Sequence, residues 1–414
     1  MNQKNKFYKW ELLIWLWLAY FFNQGDRQIF NIALPLIKAD LGLSDAQLGL
    51  VGSIFILALG VCFPIAGFVG DIFNRKKIVG YSLLFWSMAT FLTGYGTTLF
   101  HLIILRSLSV GGGEAFYAPA ANGLIGQFHQ KSRALAMSIH QTSLYAGVIV
   151  SGALGGYIAQ TYGWKNTFFL YGGAGVILAM ILFWRLQPTV SNISNLTWND
   201  QKNFIKSSTL ALVSKPSAIL LCVAFLSLVI VNVGYTTWMP TFLHEKFNLS
   251  IAEAGFNSMF YHHVFALAGV IIGGILSDKL ALKANQYRLI IQCSGLLLGA
   301  PFIYWMGQAD STLMTYVALS GFGFFRGFYE ANLYATLFAV IEPAYRSTSV
   351  GLSAMFAFII ASLVPFLLGY LKPTLGLANG LSALSISYLI GGMVILISLR
   401  YFFQEDSRLK TEDI

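Results

Sequence analysis

Leu43-Ser44-Asp45-Ala46-Gln47-Leu48-Gly49 returns two hundred residues later as Leu249-Ser250-Ile251-Ala252-Glu253-Ala254-Gly255. Each copy follows an apolar stretch that carries a proline, Leu34-Pro35 in the first and Met239-Pro240 in the second. A second pair sits further on: Gly67-Phe68-Val69-Gly70-Asp71 with Arg75-Lys76-Lys77, and the weaker Gly273-Gly274-Ile275-Leu276-Ser277-Asp278-Lys279. A third matches Arg133 and Gly156-Tyr157 to Arg346 and Gly369-Tyr370. The order holds across the whole chain, so one plan has been used twice in parallel. The longest polar connection, about Gln187 to Ser214, divides the copies.

Composition places this repeat in a membrane. The 414 residues are 56% hydrophobic and 10% charged, against roughly 25% charged in soluble domains. Apolar runs of about 20 residues suffice to cross a bilayer. Twelve are predicted, over 10–37, 47–70, 78–97, 100–127, 133–160, 166–186, 217–242, 253–277, 287–307, 311–341, 346–371 and 377–403. The expected fold is all-α and polytopic, with two pseudo-symmetric bundles of six transmembrane helices. They occupy residues 1–186 and 217–414, joined by a cytoplasmic linker over 187–216. The basic start, Met1 to Lys9, runs straight into a first span too long for a signal peptide.

Lys and Arg crowd the even-numbered connections and both tails, while the opposite face keeps only Lys38, Lys165, Lys246 and Lys372. The positive-inside rule then puts both termini in the cytoplasm. It also accounts for the +9 net charge without nucleic acid as a partner; the partners expected are the lipid bilayer, protons and a small organic anion. The short loops fit a monomer in a bacterial inner membrane. Cys62, Cys222 and Cys293 lie in apolar segments without metal-ligand spacing and read as packing residues. His244-Glu245 begins like a zinc-protease motif, but Asn248 stands where the second histidine belongs. No nucleophile elbow or phosphate-binding loop is present. The chain is expected to be neither an enzyme nor an ATP-driven pump, and to need no cofactor or metal.

Symmetry sets a scaffold, and departures from it mark chemistry. Asp26-Arg27 interrupts the first span, where an ionised group costs about 2.5–3.5 kcal/mol and marks an ion or substrate pathway. With Pro35 aligned on Pro240, these two fall opposite Val231 and Asn232. Glu114, in Gly111-Gly112-Gly113-Glu114-Ala115, falls opposite Gly327 when Arg133 is aligned on Arg346. The glycines are expected to let the first and fourth helices pack closely, with Asp26, Arg27 and Glu114 around one cavity. A static ion network that only locks the bundle is the competing reading.

Gly67, Gly70, Asp71, Arg75 and Lys76 resemble the signature loop of the major facilitator superfamily, a conformational gate at the cytoplasmic face. Asp278 is its counterpart in the second copy. The Asp-Arg pair and the Gly-Glu-Ala acid resemble the anion:cation symporter family within it, whose members carry galactonate, hexuronate and sialate. That resemblance implies that Arg27 binds the substrate carboxylate and that Asp26 and Glu114 carry coupling protons. It implies proton-coupled import of a sugar acid such as a sialate, hexuronate or aldonate, by alternating access. The family usually places the acid seven residues after the fourth-helix arginine, whereas Arg106 precedes Glu114 by eight and is read as structural. Spinster-like exporters of lysolipids share the same two motifs and supply the alternative function.

Secondary candidates for substrate contact are His140, Gln141 and Tyr145 in the fifth span, His262 in the eighth and Asn332 in the tenth. Ordinary core packing is the alternative for each. Arg326 and Glu330, spaced i,i+4, can pair on one helix face. They are read as a gate salt bridge toward the cytoplasmic end of the tenth span.

Overall fold

The computed structural model describes residues 3–130, 132–187 and 198–407. Among them every regular element is helical. The first half runs α1 (Gln3–Leu41), α2 (Asp45–Ile72), α3 (Arg75–Thr93), a composite fourth span, α7 (Arg133–Tyr162) and α8 (Trp164–Arg185). The fourth span is built from α4 (Leu99–Leu102), a π-helical turn (Ile103–Val110), α5 (Gly111–Ala115) and α6 (Tyr117–Phe128). After α9 (Trp198–Val213) the second half follows as α10 (Pro216–Phe247), α11 (Ile251–Ala281), α12 (Tyr287–Gln308), α13 (Thr312–Val340), α14 (Arg346–Ala361) and α15 (Leu363–Tyr401). A final turn, α16 (Phe403–Asp406), closes the described chain. At a rise of 1.5 Å per residue α1 is about 58 Å long, well beyond a hydrocarbon core of about 30 Å. Among the described residues, eight helical stretches are long and apolar enough to cross a membrane by length and composition.

The opening repeat has a physical meaning. Ser44 caps α2: its hydroxyl accepts from the Gln47 N–H while Gln47 reaches back to the Ser44 N–H at 2.8 Å. Ser250 and Glu253 make the same reciprocal pair at the start of α11, at 3.0 and 3.2 Å. Ser-x-x-Gln and Ser-x-x-Glu are both capping boxes, which satisfy helix-start donors that have no intrahelical partner. The repeat therefore records where the second helix of each half begins.

The two last spans meet differently from the sequence boundaries. The span expected over 346–371 breaks at Ser362, between α14 and α15, because Pro365 has no N–H to offer the Ala361 carbonyl. The boundary expected near 371–377 is a kink inside α15 at Gly376, with φ of 72°, a left-handed conformation that glycine tolerates.

The chain forms two compact units. One comprises Met1–Ser194 with Thr236–Met259 and Pro365–Tyr370, the other Asn195–Tyr235, Phe260–Val364 and Leu371–Ile414. In the first unit α1 lies along α7 and α8, and α3 along α8. Gly152 of α7 backs onto Gly255 of α11 so closely that a Cβ at Gly152 would stand 2.6 Å from the Gly255 carbonyl oxygen. In the second unit the dominant packing is α12 on α13. All three cysteines are free; Cys222 shares a 3.1 Å hydrogen bond with Ser353.

Candidate functional site

Asp26 and Arg27 lie in α1, and the rest of the site gathers around them in the first unit. The Arg27 Nε donates to Glu114 Oε2 in a direct ion pair. The two ends of this pair differ in access: the Arg27 side chain is 28% exposed and that of Glu114 is 0% exposed. Arg27 also lies 5.9 Å from the Phe55 ring of α2. A cation that reaches open space is thus paired with a carboxylate that does not.

Asp26 is fully buried. Its Oδ2 accepts from the Thr90 hydroxyl of α3 at 3.3 Å, while Oδ1 has no hydrogen-bond partner among the described residues. Arg106 approaches the same turn of α1 from the π-helical turn, and its Nη2 donates to the Asp26 backbone carbonyl. The guanidinium lies 5.6 Å from the Phe30 ring and 5.3 Å from Phe55, a buried cation faced by aromatic π-clouds. Arg106 is therefore a positioning residue that holds the backbone beneath the Asp26-Arg27 pair, in line with its structural reading. Glu114 Oε1 and Arg106 Nη1 are also buried without partners among the described residues.

The extra residue between Arg106 and Glu114 is absorbed by the π-helical turn. In a regular helix seven residues make nearly two turns, falling about 20° short, whereas eight would turn Glu114 about 80° away from Arg106. A π turn takes one additional residue into one turn. Within the π-helical stretch Ile103–Val110 the Ser109 hydroxyl also donates 3.0 Å to the Ile104 carbonyl five residues back. Both charged side chains thereby still reach α1.

The glycines around Glu114 do a different job from the one expected. Gly111 faces α2, where an added Cβ would come within 2.9 Å of the Phe55 carbonyl oxygen. Gly113 faces α3, with Phe85 at 2.8 Å and Trp86 at 3.3 Å. They bring the second and third helices close. Glu114 crosses to α1 by its side-chain length.

The remaining candidates do not join this cluster. His140 is buried, with its Nε2 3.3 Å from the Tyr117 hydroxyl and its ring stacked 4.8 Å from Tyr20. Tyr117 in turn donates to the Leu16 carbonyl at 2.6 Å, so His140 ties α7 to α6 and α1. Gln141 is exposed and Tyr145 half-buried on α7. Asn332 is buried between α11 and α13; it accepts from Ser277 and donates to the Phe328 carbonyl at 3.1 Å. The side chains of Gly67, Gly70 and Asp71 lie outside the described residues. Arg75 and Lys76 are half-buried at the start of α3. Asp278 pairs with Arg288 at 2.8 Å.

Arg326 and Glu330 form the expected i,i+4 ion pair, at 2.7 Å, midway along α13 and not near one of its ends. Arg326 also reaches Asn232 of α10 at 2.5 Å and His262 of α11 at 3.0 Å. The second half thus has a cluster of its own, which position-by-position matching to the first half had hidden because Arg326 precedes the counterpart of Glu114 by one residue. Thr90, Phe55 and Phe30 were not anticipated at the first site. The signal for Thr90 was one hydroxyl among several in its span, beside Ser82, Ser87 and Thr93.

The family model described as Major Facilitator Superfamily matches residues 16–365. A probable galactarate/D-glucarate transporter of Bacillus subtilis is 27% identical over 407 residues, covering 90% of this chain and 87% of its own. A cis,cis-muconate transport protein of Acinetobacter baylyi is 24% identical over 404 residues, covering 95% of each chain. Among solved structures, an inward-facing, unoccupied bacterial homologue of the human lysosomal transporter spinster superposes with a TM-score of 0.79 at 20% identity. That match covers 96% of this chain and 98% of the other.

Proposed function

The chain belongs to the Major Facilitator Superfamily, a transporter and not an enzyme, and on that footing we propose that it imports a small organic anion together with protons. A sugar acid is the preferred substrate, with a sialate, hexuronate or aldonate as concrete options. The relatives named for galactarate, glucarate and muconate support an acid as cargo.

One observation carries the reading: a partly open arginine, Arg27, is held by a sealed carboxylate, Glu114. Arginine is permanently charged and grips carboxylates in a two-pronged fork. When a substrate carboxylate takes Arg27, Glu114 loses its counter-charge in a site without water access. A buried, unpaired carboxylate is strongly unfavourable, so Glu114 keeps its place by binding a proton. Anion and proton then enter the site together because they exchange for one bond. Asp26, buried and accepting from the Thr90 hydroxyl, is the second proton carrier. The loop with Asp71, Arg75 and Lys76, and its counterpart at Asp278, would gate the cytoplasmic face during alternating access. Both termini would then be cytoplasmic, in a bacterial inner membrane.

Uptake into proteoliposomes under an imposed pH gradient tests this. Glu114→Gln should abolish uphill accumulation and spare counterflow exchange, and unaltered accumulation would remove the proton role. Arg27→Ala should weaken binding by roughly 30- to 150-fold. An amphiphile exporter of the spinster type is the second reading. It is favoured by an apolar groove of about 890 Å³ between α3 and the π-helical turn, lined by Tyr81, Phe85, Met88, Leu105 and Phe116. Competition between a lysolipid and sugar acids for the purified protein separates the two.

A further inference from the structure

We propose that Arg326 and His262 form a second carboxylate-binding subsite, carried by the second unit, in which an acid group of a second ligand molecule takes the place now held by Glu330. This rests on the reading of Arg27 as an anion clamp and extends it to the number of acid groups the protein handles.

The geometry of Arg326 argues that Glu330 is a placeholder. Nε and Nη2 both point at one oxygen, Glu330 Oε1, at 2.9 and 2.7 Å. A guanidinium pairs best with both oxygens of a carboxylate through two parallel bonds. Glu330, tethered one turn away on the same helix, presents only one of its oxygens to the fork, and i,i+4 pairs of this kind are weak. A carboxylate arriving from outside the helix is free of that tether and can present both. Access is available: the Arg326 side chain is 13% exposed and that of Glu330 is 25% exposed.

The third nitrogen faces a built wall. Nη1 donates to Asn232 Oδ1 at 2.5 Å and lies 3.0 Å from His262 Nε2. A guanidinium can only donate, so His262 accepts there and its ring is neutral, with its proton on Nδ1. His262 is fully buried, with the Tyr235 ring at 4.6 Å and the Phe322 ring at 4.4 Å. A salt bridge that serves only as a gate accounts for Glu330. It gives no reason to fix the back of Arg326 with a half-buried amide and a buried imidazole. A clamp that must keep its fork aimed while its anion is exchanged does need such a back wall.

The repeat supplies an independent line. Asn232 occupies the position in α10 that Arg27 occupies in α1, and Arg326 is adjacent to the counterpart of Glu114. In each unit the first and fourth spans of the plan meet through polar contacts to arginine: Arg27 with Glu114 and Arg106 with the Asp26 carbonyl in the first, Arg326 with Asn232 in the second. The acid-facing arginine sits on the first span in the one unit and on the fourth in the other.

The carboxylate is that of a second ligand molecule, and calorimetry on the purified full chain tests it. Galactarate and galactonate are the probes, and each should bind at two per chain. Arg326→Gln should reduce the stoichiometry to one and leave one-site galactonate binding intact. Glu330→Gln, which removes the competing carboxylate, should tighten the second interaction by about tenfold, a change that a folding defect cannot produce. The subsite is overturned if both variants match the unaltered protein in affinity and stoichiometry while Arg27→Ala weakens binding. If neither acid binds the unaltered protein, the anion reading of Arg27 itself fails, and the subsite fails with it.

Discussion

Glu114→Gln should remove one proton from the binding reaction, and the number follows from which groups touch Arg27. The one carboxylate seen in contact with it is that of Glu114; Asp26 faces Thr90 instead. Once a ligand occupies Arg27, leaving Glu114 ionised and unpaired in the interior costs about 3–5 kcal/mol. Protonating an ordinary glutamate from solution at pH 7 costs about 3.7 kcal/mol, and at pH 6 about 2.3 kcal/mol. The two are close at neutrality, and protonation is the cheaper course on the acid side. Binding should therefore take up one proton through Glu114, and the Kd for galactonate should rise about tenfold for each unit that pH rises, equivalent to about 1.4 kcal/mol. Titration calorimetry in two buffers of different ionisation enthalpy counts that proton directly. The glutamine variant should bind with one proton fewer, with its pH slope flattened accordingly. An unchanged proton count in the variant would show that Arg27 does not hand its bond from Glu114 to the ligand.

Four shorter predictions follow from the same geometry. Arg27→Ala should weaken galactonate binding by roughly 30- to 150-fold, the worth of about 2–3 kcal/mol for hydrogen bonds to a charged group, measured by the same calorimetry. Gly113→Val should lower the thermal unfolding temperature, since its side chain meets Phe85 and Trp86 and overpacking costs about 1–3 kcal/mol. Ser44→Ala and Ser250→Ala should each destabilise by about 0.5–2 kcal/mol through loss of a helix cap, and their effects should add, because the caps belong to different helices. At the end of α1, hydrogen bonds from Lys165 and Trp164 hold the Asp40 carboxyl below the usual carboxylate range. Its ionised form is the stabilising one, so the difference in melting temperature between the wild type and Asp40→Asn should be present at neutral pH. It should shrink as the pH falls through the carboxylate range.

The fold was legible where local chemistry repeats. Ser44 with Gln47 and Ser250 with Glu253 are the same solution to the same helix start, and a pattern of four residues records it fully. The Asp26-Arg27 pair was legible because charge in an apolar span needs a partner, and Glu114 was the acid in reach. What stayed hidden depended on packing between spans. Glycine spacing says that a backbone comes close but not whose, so Gly111 and Gly113 were assigned to α1 when they admit α2 and α3. Arg326 was read only as half of a gate pair with Glu330, and its contact with Asn232 was hidden, because matching the halves position by position misses a long side chain that serves the same place from a neighbouring residue. Thr90 offered only a hydroxyl, which most often bonds within its own helix.

The π-helical turn is the sharpest case, since residue spacing alone cannot show how many residues a turn contains. Between Arg106 and Glu114 the chain carries one residue more than regular packing of both onto α1 allows, and Ile103–Val110 takes it up. Deletion and insertion at this place should therefore be unequal. Removing Ser109 leaves seven residues, a spacing that a regular helix satisfies to within about 20°. The deletion variant should retain the Arg27–Glu114 pair and bind galactonate within a few fold of wild type. Adding an alanine after Ser109 leaves nine. Unless the turn widens again, Glu114 swings about 100° away from Arg27, and both binding and its linked proton should be lost. If the spare residue were instead built into the site, as a ligand contact from Ser109, the deletion would be as damaging as the insertion. Equal losses would thus refute the register argument. Unequal losses would mean that Arg106, fixed beneath Asp26, and Glu114, fixed against Arg27, are what the extra residue was accommodated to preserve.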